Sequence, residues 1–271
     1  MGQYLLCQKT AQMPYEIEEM GLHIYSAEEL CYYIYHNLPM IDDSFINEAL
    51  IEFIRKDLDM PVLAEKVSRC FQSSADLDST LLVLLRNVGY YTEEEITEFQ
   101  EMMIRLHRKN PLERTKDRAD LLFSYRKYQN AVKAYGAIVS QGRDLRVKAG
   151  FYSEVLQHMA VCCLHLYMYP ETLDCLKAAY EENKDRRILQ QIYDFCVLTR
   201  QALPKDLFLD IEDEVLINWQ KDYCEAQDIS MQEMEHGSTA GIFSLEPEER
   251  EAALEEFLKK EKKLYREMTA E

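Results

Sequence analysis

Apolar residues recur at helical spacing along most of the chain, and capping residues mark where many of these segments begin. Ser26 with Glu29, and Thr92 with Glu95, form capping boxes, in which each side chain bonds to the backbone of the other residue. Pro39, Asn110 with Pro111, and Pro204 interrupt the pattern. We predict helices over about 26–37, from a cap at Asp42, Asp43 or Ser44 to Ile54, and over 61–71, 77–88, 92–108, 112–125, 128–141, 151–167, 170–182, 186–203, 206–235 and 246–268.

The first 25 residues follow a different pattern. Tyr4 to Cys7 is a short apolar run, and the segments 15–17 and 22–25 alternate partly around Gly21. Such alternation is typical of short strands. We therefore expect one or two strands, forming a small hairpin, ahead of the first helix.

Composition agrees with a mainly helical fold. The 271 residues include 8 Gly and 7 Pro, where average usage gives about 19 and 14. Sandwiches, barrels and glycine-loop nucleotide folds need more of both. Because an isolated helix cannot bury its own apolar face, the pattern predicts a mainly all-α fold of stacked antiparallel helical hairpins.

One residue pattern occurs twice in the middle of the chain. Its first copy is Ala119, Leu122, Tyr128, Ala131, Tyr135 and Ile138. The second copy, displaced by 41 positions (119 to 160), is Ala160, Cys163, Tyr169, Thr172, Leu176 and Ala179. Small residues in this pattern let two helices approach, and large ones fill the space between them.

This pattern resembles the tetratricopeptide helical hairpin over about residues 115–182. The resemblance implies an α-solenoid of the tetratricopeptide type. Any antiparallel helical hairpin also needs small residues where its helices cross, so an ordinary hairpin remains an alternative. We expect three regions: 1–110, a helical region with a short β element; 111–204, the hairpins; and 205–271, acidic helices with a flexible loop at 236–245.

The distribution of charge limits the partners. The formal net charge is -18, whereas phosphate backbones and anionic lipid surfaces attract basic proteins. We therefore expect neither nucleic acid nor membrane as a partner. Residues 104–149 nevertheless hold 12 basic and 4 acidic residues. This basic belt either pairs with acidic groups of the same chain or forms a docking surface for an acidic peptide.

Tyrosine is abundant, with 18 residues in the chain. It is common on half-buried surfaces and at protein interfaces. We predict that a partner polypeptide binds a concave, tyrosine-lined face next to the basic belt. The predicted partner-binding residues are Tyr125, Tyr128, Tyr135, Tyr167, Tyr169, Arg118, Arg126 and Lys127.

Catalytic motifs are scarce. The sequence has no P-loop, no dinucleotide-binding glycine pattern, no His-Glu-x-x-His and no nucleophile elbow. Glu154, His158, Cys162 and His165 share one face of the predicted helix 151–167 and have metal-binding side chains. However, one straight helix supplies only two or three ligands to a single ion. We predict no enzyme activity, no metal and no cofactor, and keep a metal-dependent enzyme using this face as an alternative.

The remaining features suggest a location. No apolar run is long enough to span a membrane, and the N-terminal residues are not typical of a secretory signal. The 8 cysteines form no Cys-x-x-Cys pair and lie mostly in apolar helical patterns. We expect a cytoplasmic, non-enzymatic scaffold or adaptor that binds another protein or peptide. The alternative of a structural subunit that forms a homo-oligomer through its last helix stays open, and the oligomeric state is not determined.

Overall fold

The computed structural model describes residues 7, 9–73, 76–235, 241–242 and 245–269. These residues are mainly α-helical and include a two-stranded antiparallel sheet, which confirms the predicted fold class and the short N-terminal strands. Strands β1 (Tyr15–Ile17) and β2 (Leu22–Ile24) pair with Tyr15 opposite Ile24. Gly21 turns the chain between them with φ 58°, a conformation in which a side chain is strained. Of the apolar run 4–7, residues 4–6 lie outside the described residues.

The helices follow in chain order and are connected by short turns. A 3-10 turn at Leu38–Met40 follows the first helix, and a π-helical turn at Phe53–Asp57 follows the second. The helices are α1 (Ala27–His36), α2 (Glu48–Glu52), α3 (Pro61–Gln72), α4 (Leu77–Val88), α5 (Glu93–Arg108), α6 (Pro111–Ser124), α7 (Tyr128–Ser140), α8 (Phe151–His165), α9 (Tyr169–Asn183), α10 (Arg186–Thr199), α11 (Lys205–Phe208), α12 (Asp213–Glu235) and α13 (Pro247–Thr269).

Both predicted capping boxes are present. The hydroxyl of Ser26 accepts a hydrogen bond from the backbone N–H of Glu29, whose carboxylate accepts one from the Ser26 N–H. Thr92 and Glu95 make the same reciprocal pair at the start of α5. Each box satisfies backbone donors that the first helical turn leaves without partners, so these two helices begin where the sequence predicts.

The predicted start of the second helix is wrong. Instead of a cap at residues 42–44, α2 begins after Asn47, whose side-chain oxygen accepts a hydrogen bond from the N–H of Leu50 at 2.9 Å. Asp42 forms a local turn, in which its carboxylate accepts hydrogen bonds from the N–H and hydroxyl of Ser44. An Asp side chain bonds equally well within a turn and at a helix start, which explains the error.

The single helix predicted over 206–235 is also wrong, because the chain breaks between α11 and α12. The rings of Phe208 and Trp219 lie 6.4 Å apart, centre to centre. Eleven residues of straight helix would separate them by about 16 Å along the axis. The chain therefore turns at residues 209–212, and both rings pack into one core.

The chain forms two compact units. The first comprises the described residues within Met1–Arg126 together with Asp144–Val147, and the second those within Lys127–Arg143 and Lys148–Ala270. Fully buried side chains in the first unit include Leu30, Ile34, Leu50, Leu84 and Phe99. The three-part division into 1–110, 111–204 and 205–271 stays a prediction, and most of the loop expected at 236–245 lies outside the described residues.

Helices of the second unit pack in sequential order. α7 contacts α8, α8 contacts α9, α9 contacts α10, and α10 contacts α12, while α13 packs against α7. All twelve positions of the repeated pattern are buried except Tyr169, which is half-buried. Ordinary hairpins and tetratricopeptide hairpins both require this burial, so the resemblance stays a prediction. In the parts of the chain that the structure describes, no helix has the length and apolar character needed to cross a bilayer.

Candidate functional site

Arg118, predicted to bind a partner, is engaged within the first unit. Its guanidinium pairs with Glu19 and lies 3.4 Å from both an Asp42 carboxylate oxygen and the Met40 carbonyl oxygen. Partial burial of Asp42 opposes ionisation, but the hydrogen bonds from Ser44 and the charge of Arg118 prevail and lower its pKa. Arg118 thus joins α6 to the turns on either side of α1.

Two of the predicted tyrosines are core residues. Tyr135 is fully buried in α7, and its hydroxyl lies 3.4 Å from Nδ1 of His158. Tyr128, also buried, stacks on the ring of His165 with centroids 4.3 Å apart and planes at 2°. Neither ring offers a partner an accessible surface in this conformation.

The other predicted residues are more exposed. Tyr125 ends α6 with an exposed ring, Arg126 follows with φ 60°, and Lys127 is half-buried at the start of α7. Tyr167 is 68% exposed and lines a small hollow with Leu258 and Tyr265 of α13. Tyr169 packs edge-on against the ring of Phe195, with centroids 6.1 Å apart. The eight residues thus differ in exposure and belong to both units, and the partner-binding surface stays a prediction.

The face that carries candidate metal ligands is divided among other contacts. The carboxylate of Glu154 lies 2.9 Å from Nζ of Lys148, and Cys162 is fully buried. His158 and His165 contact Tyr135 and Tyr128, as described above. Among the described residues, no group of three or more His, Cys, Asp or Glu side chains is arranged to hold a metal ion.

Much of the basic belt pairs with acidic groups of its own unit. In the first unit Lys109 lies 2.6 Å from Asp117, and Arg146 lies 2.8 Å from Asp144. The hydrogen bonds from Arg146 and Asn110 lower the pKa of Asp144 strongly. Further pairs join Arg105 to Glu101, Lys116 to Asp120, Arg143 to Glu182 and Lys148 to Glu154. These pairs favour the interpretation in which the chain neutralises its own belt.

A groove of about 470 Å³ lies in the second unit, along α8, α9, α10 and the middle of α12. Exposed aliphatic side chains reach it from two helices: Val161 from α8 and Leu198 from α10, which is 58% exposed. The remaining lining residues are Gln157, His158, Ala160, Leu164, Thr172, Leu176, Gln191, Asp194, Phe195 and Tyr223. Of these, only His158 had been singled out from the sequence as a candidate functional residue, a possible metal ligand, while Ala160, Thr172 and Leu176 belong to the repeated pattern.

Each long wall of the groove is a two-turn stripe of one helix. On α8 the stripe runs from Gln157 through Val161 to Leu164, and on α10 it runs from Gln191 to Leu198. Spacings of three, four and seven residues place side chains on one face of a helix. Seven residues extend about 10 Å along the axis, so both walls are long relative to a single side chain.

Asp194 supplies a carboxylate to this otherwise largely apolar lining. Its Oδ1 is buried and accepts no hydrogen bond from any described residue. Burial, and secondarily the nearby charge of Asp222, raise its pKa. Asp222 lies on α12, where its carboxylate accepts a hydrogen bond from Gln190 at 3.2 Å.

A second cavity, of about 560 Å³, lies in the first unit and is lined by residues from α1, α5 and α6. Its charged lining residues include Lys109 and Asp117, which pair with each other at 2.6 Å. Asp120 is likewise paired, with Lys116 at 2.7 Å. Because these charges already have partners of opposite charge, a ligand of this cavity would gain less from pairing with them than a ligand of the groove would gain at Asp194.

A signal for the groove was present in the sequence. Asp194 interrupts an apolar run between Tyr193 and Phe195, and an acid in such a run is costly to bury unless it serves a purpose.

A scan against protein-family models finds no match, and comparisons with curated proteins and with solved structures find none either.

Proposed function

We propose that this chain is a non-catalytic polypeptide-binding protein, and that the groove of the second unit holds a short amphipathic helical segment of another protein. The observation that carries the proposal is the exposed aliphatic surface of Val161 and Leu198 across a groove of about 470 Å³. Exposed aliphatic surface in a groove is costly to leave in water, and a partner that covers it removes that cost.

The shape of the groove supports a helical occupant. Its walls are stripes at helical spacing, and Thr172 and Leu176, four residues apart on α9, also line it; α9 packs against both α8 and α10. An amphipathic helix inserts apolar side chains at intervals of three and four residues into such a groove. The apolar side chains of the segment would contact Val161, Leu164 and Leu198.

A cytoplasmic location is part of the proposal. None of the eight cysteines forms a disulfide, and Cys31, Cys162, Cys163, Cys175 and Cys196 are buried. Reduced cysteines in a helical core are usual for proteins of reducing compartments. The reduced cysteines buried among the helices therefore support a cytoplasmic location for the protein and its partner.

A peptide-display selection on the purified full-length protein tests the groove. We expect enrichment of sequences with apolar residues at helical spacing, and synthetic versions of them should bind the wild type. Leu198→Glu places a charge on the apolar wall and should weaken binding at least about tenfold, equivalent to 1.4 kcal/mol. Fluorescence anisotropy with labelled peptides measures the change.

The matched control is Ile229→Glu. Ile229 has the same exposure as Leu198, 58%, but lies on α12 outside the groove lining. It should leave binding unchanged. If the selection yields no binding sequence, or if both variants weaken binding equally, the groove is not the binding site and the proposal is wrong.

A further inference from the structure

We propose that the segment bound in the groove presents a basic side chain, arginine or lysine, to Asp194. This inference rests on the proposed function and specifies the chemistry of the partner. It follows from the state of the Asp194 carboxylate, from the charges around it and from the apolar walls beside it.

The carboxylate of Asp194 differs from other carboxylates of the same protein. Asp144 accepts hydrogen bonds from Arg146 and Asn110, and Asp185 accepts them from the side chain and N–H of Arg187. Asp194 has a buried Oδ1 with no hydrogen-bond donor among the described residues. A buried acceptor without a partner costs free energy, which a ligand recovers by supplying the missing charge or donor.

The surroundings of Asp194 favour a cation over other ligands. The described lining residues include no lysine or arginine, while Asp222 adds a second negative charge nearby. The lining includes one imidazole, that of His158, which is in contact with the Tyr135 hydroxyl. An acidic ligand would therefore be repelled, and a cationic one attracted.

The walls select a cation with a long aliphatic stem. Arginine and lysine pack their methylene groups on apolar surface while the charged end reaches a polar group. In this groove the stem would lie against Leu198 and Val161, and the charged end would approach Asp194. Because the carboxylate shares its charge between both oxygens, a cation on the groove side also stabilises the buried Oδ1.

Parallel peptide-display selections on the wild type, Asp194→Asn and Asp228→Asn test the inference. Asp228 is an exposed acid of α12 that does not line the groove, so its variant is the charge-matched control. We expect the wild type and Asp228→Asn to select apolar sequences with a shared arginine or lysine. Asp194→Asn should select apolar sequences without that basic position.

A double-mutant cycle then measures the contact. Replacing the basic residue of the best peptide by glutamine should weaken binding to the wild type at least about tenfold. The same replacement should change binding to Asp194→Asn by less than a factor of about three. Circular dichroism confirms that both variants are folded.

The two proposals fail in different ways. If peptides are selected and Leu198→Glu abolishes their binding, but no basic position is shared or the cycle shows no coupling to Asp194, the inference is wrong while the groove remains the binding site. If no peptide is selected, the proposed function is wrong, and the inference falls with it.

Discussion

The ring of Tyr135 is fully buried in the second unit, with its hydroxyl beside His158. At the sequence level the same residue fits two roles, as a large side chain between crossing helices and as a partner-binding tyrosine. Helical spacing indicates which residues share a face, but not whether a neighbouring helix covers that face. Only the structure shows which of these side chains are buried, and Tyr135 is one of the core residues.

In contrast to Tyr135, Asp194 was not indicated as a functional residue by any sequence motif. Its significance depends on Asp222, which is 28 positions away in the sequence (194 to 222) and on another helix. It also depends on a hydrogen bond that is absent, and an absent bond leaves no pattern in a sequence. The apolar flanks Tyr193 and Phe195 were the one available signal.

The free carboxylate at Asp194 predicts a pH-dependent loss of stability. Its pKa is raised by burial above the ordinary 3.8, so the folded chain binds the proton more tightly than the unfolded chain. Below pH 3.8 the group is protonated in both states and costs nothing. As the pH rises through the raised pKa, the folded chain loses stability.

We therefore expect Asp194→Asn to raise the Tm at neutral pH, by about 1–3 °C because solvent screens a half-buried group. The gain should shrink towards zero as the pH falls below 3.8. Calorimetry across this range measures it, with Asp228→Asn as the control. A gain that is equally large in acid would mean that ionisation is not its cause.

Helix starts were the most predictable elements of this fold. Ser26 and Thr92 each have their glutamate three positions later, so a local four-residue pattern specifies the hydrogen bonds. The start of α2 and the break after Phe208 depend on contacts that are distant in sequence. Asn47, for example, also donates to the hydroxyl of Tyr15 in β1 at 3.2 Å.

Removing the cap of α5 should cost a measurable amount of stability. Thr92→Ala leaves the Glu95 N–H without its side-chain acceptor, and we expect a loss of about 1 kcal/mol in the free energy of unfolding. Thr97→Ala is the control, because Thr97 lies inside the same helix, where alanine is favoured. Urea denaturation compares the two; equal losses would indicate that the capping box contributes nothing.

At the scale of the molecule, the last helix is a part of the second unit. α13 packs against α7 and presents Leu254, Phe257 and Leu264 half-buried on one face. These three side chains are therefore partly covered by the same chain, whereas Leu258 and Tyr265 of α13 are exposed. Which neighbour α13 contacts depended on the stacking order of α7 to α10 and was not predictable from its own sequence.

Deleting residues 247–271 should expose apolar surface of α7 and lower the stability of the second unit. We expect a lower urea midpoint of unfolding than for the full-length protein. The fluorescence of Trp219, which is buried in this unit, monitors the unfolding. Replacing exposed Lys259 and Lys260 by alanine should leave the midpoint nearly unchanged. An unaltered midpoint after the deletion would show that α13 adds no stability.

Asp144–Val147 belongs to the first unit although residues of the second unit flank it on both sides. The Asn110 side chain donates to Asp144 at 3.0 Å, which ties this stretch to the start of α6. A fragment beginning at 127 would carry these four residues away from Asn110, and one ending at 126 would lack them. No single cut of the chain therefore yields both units with all of their own residues.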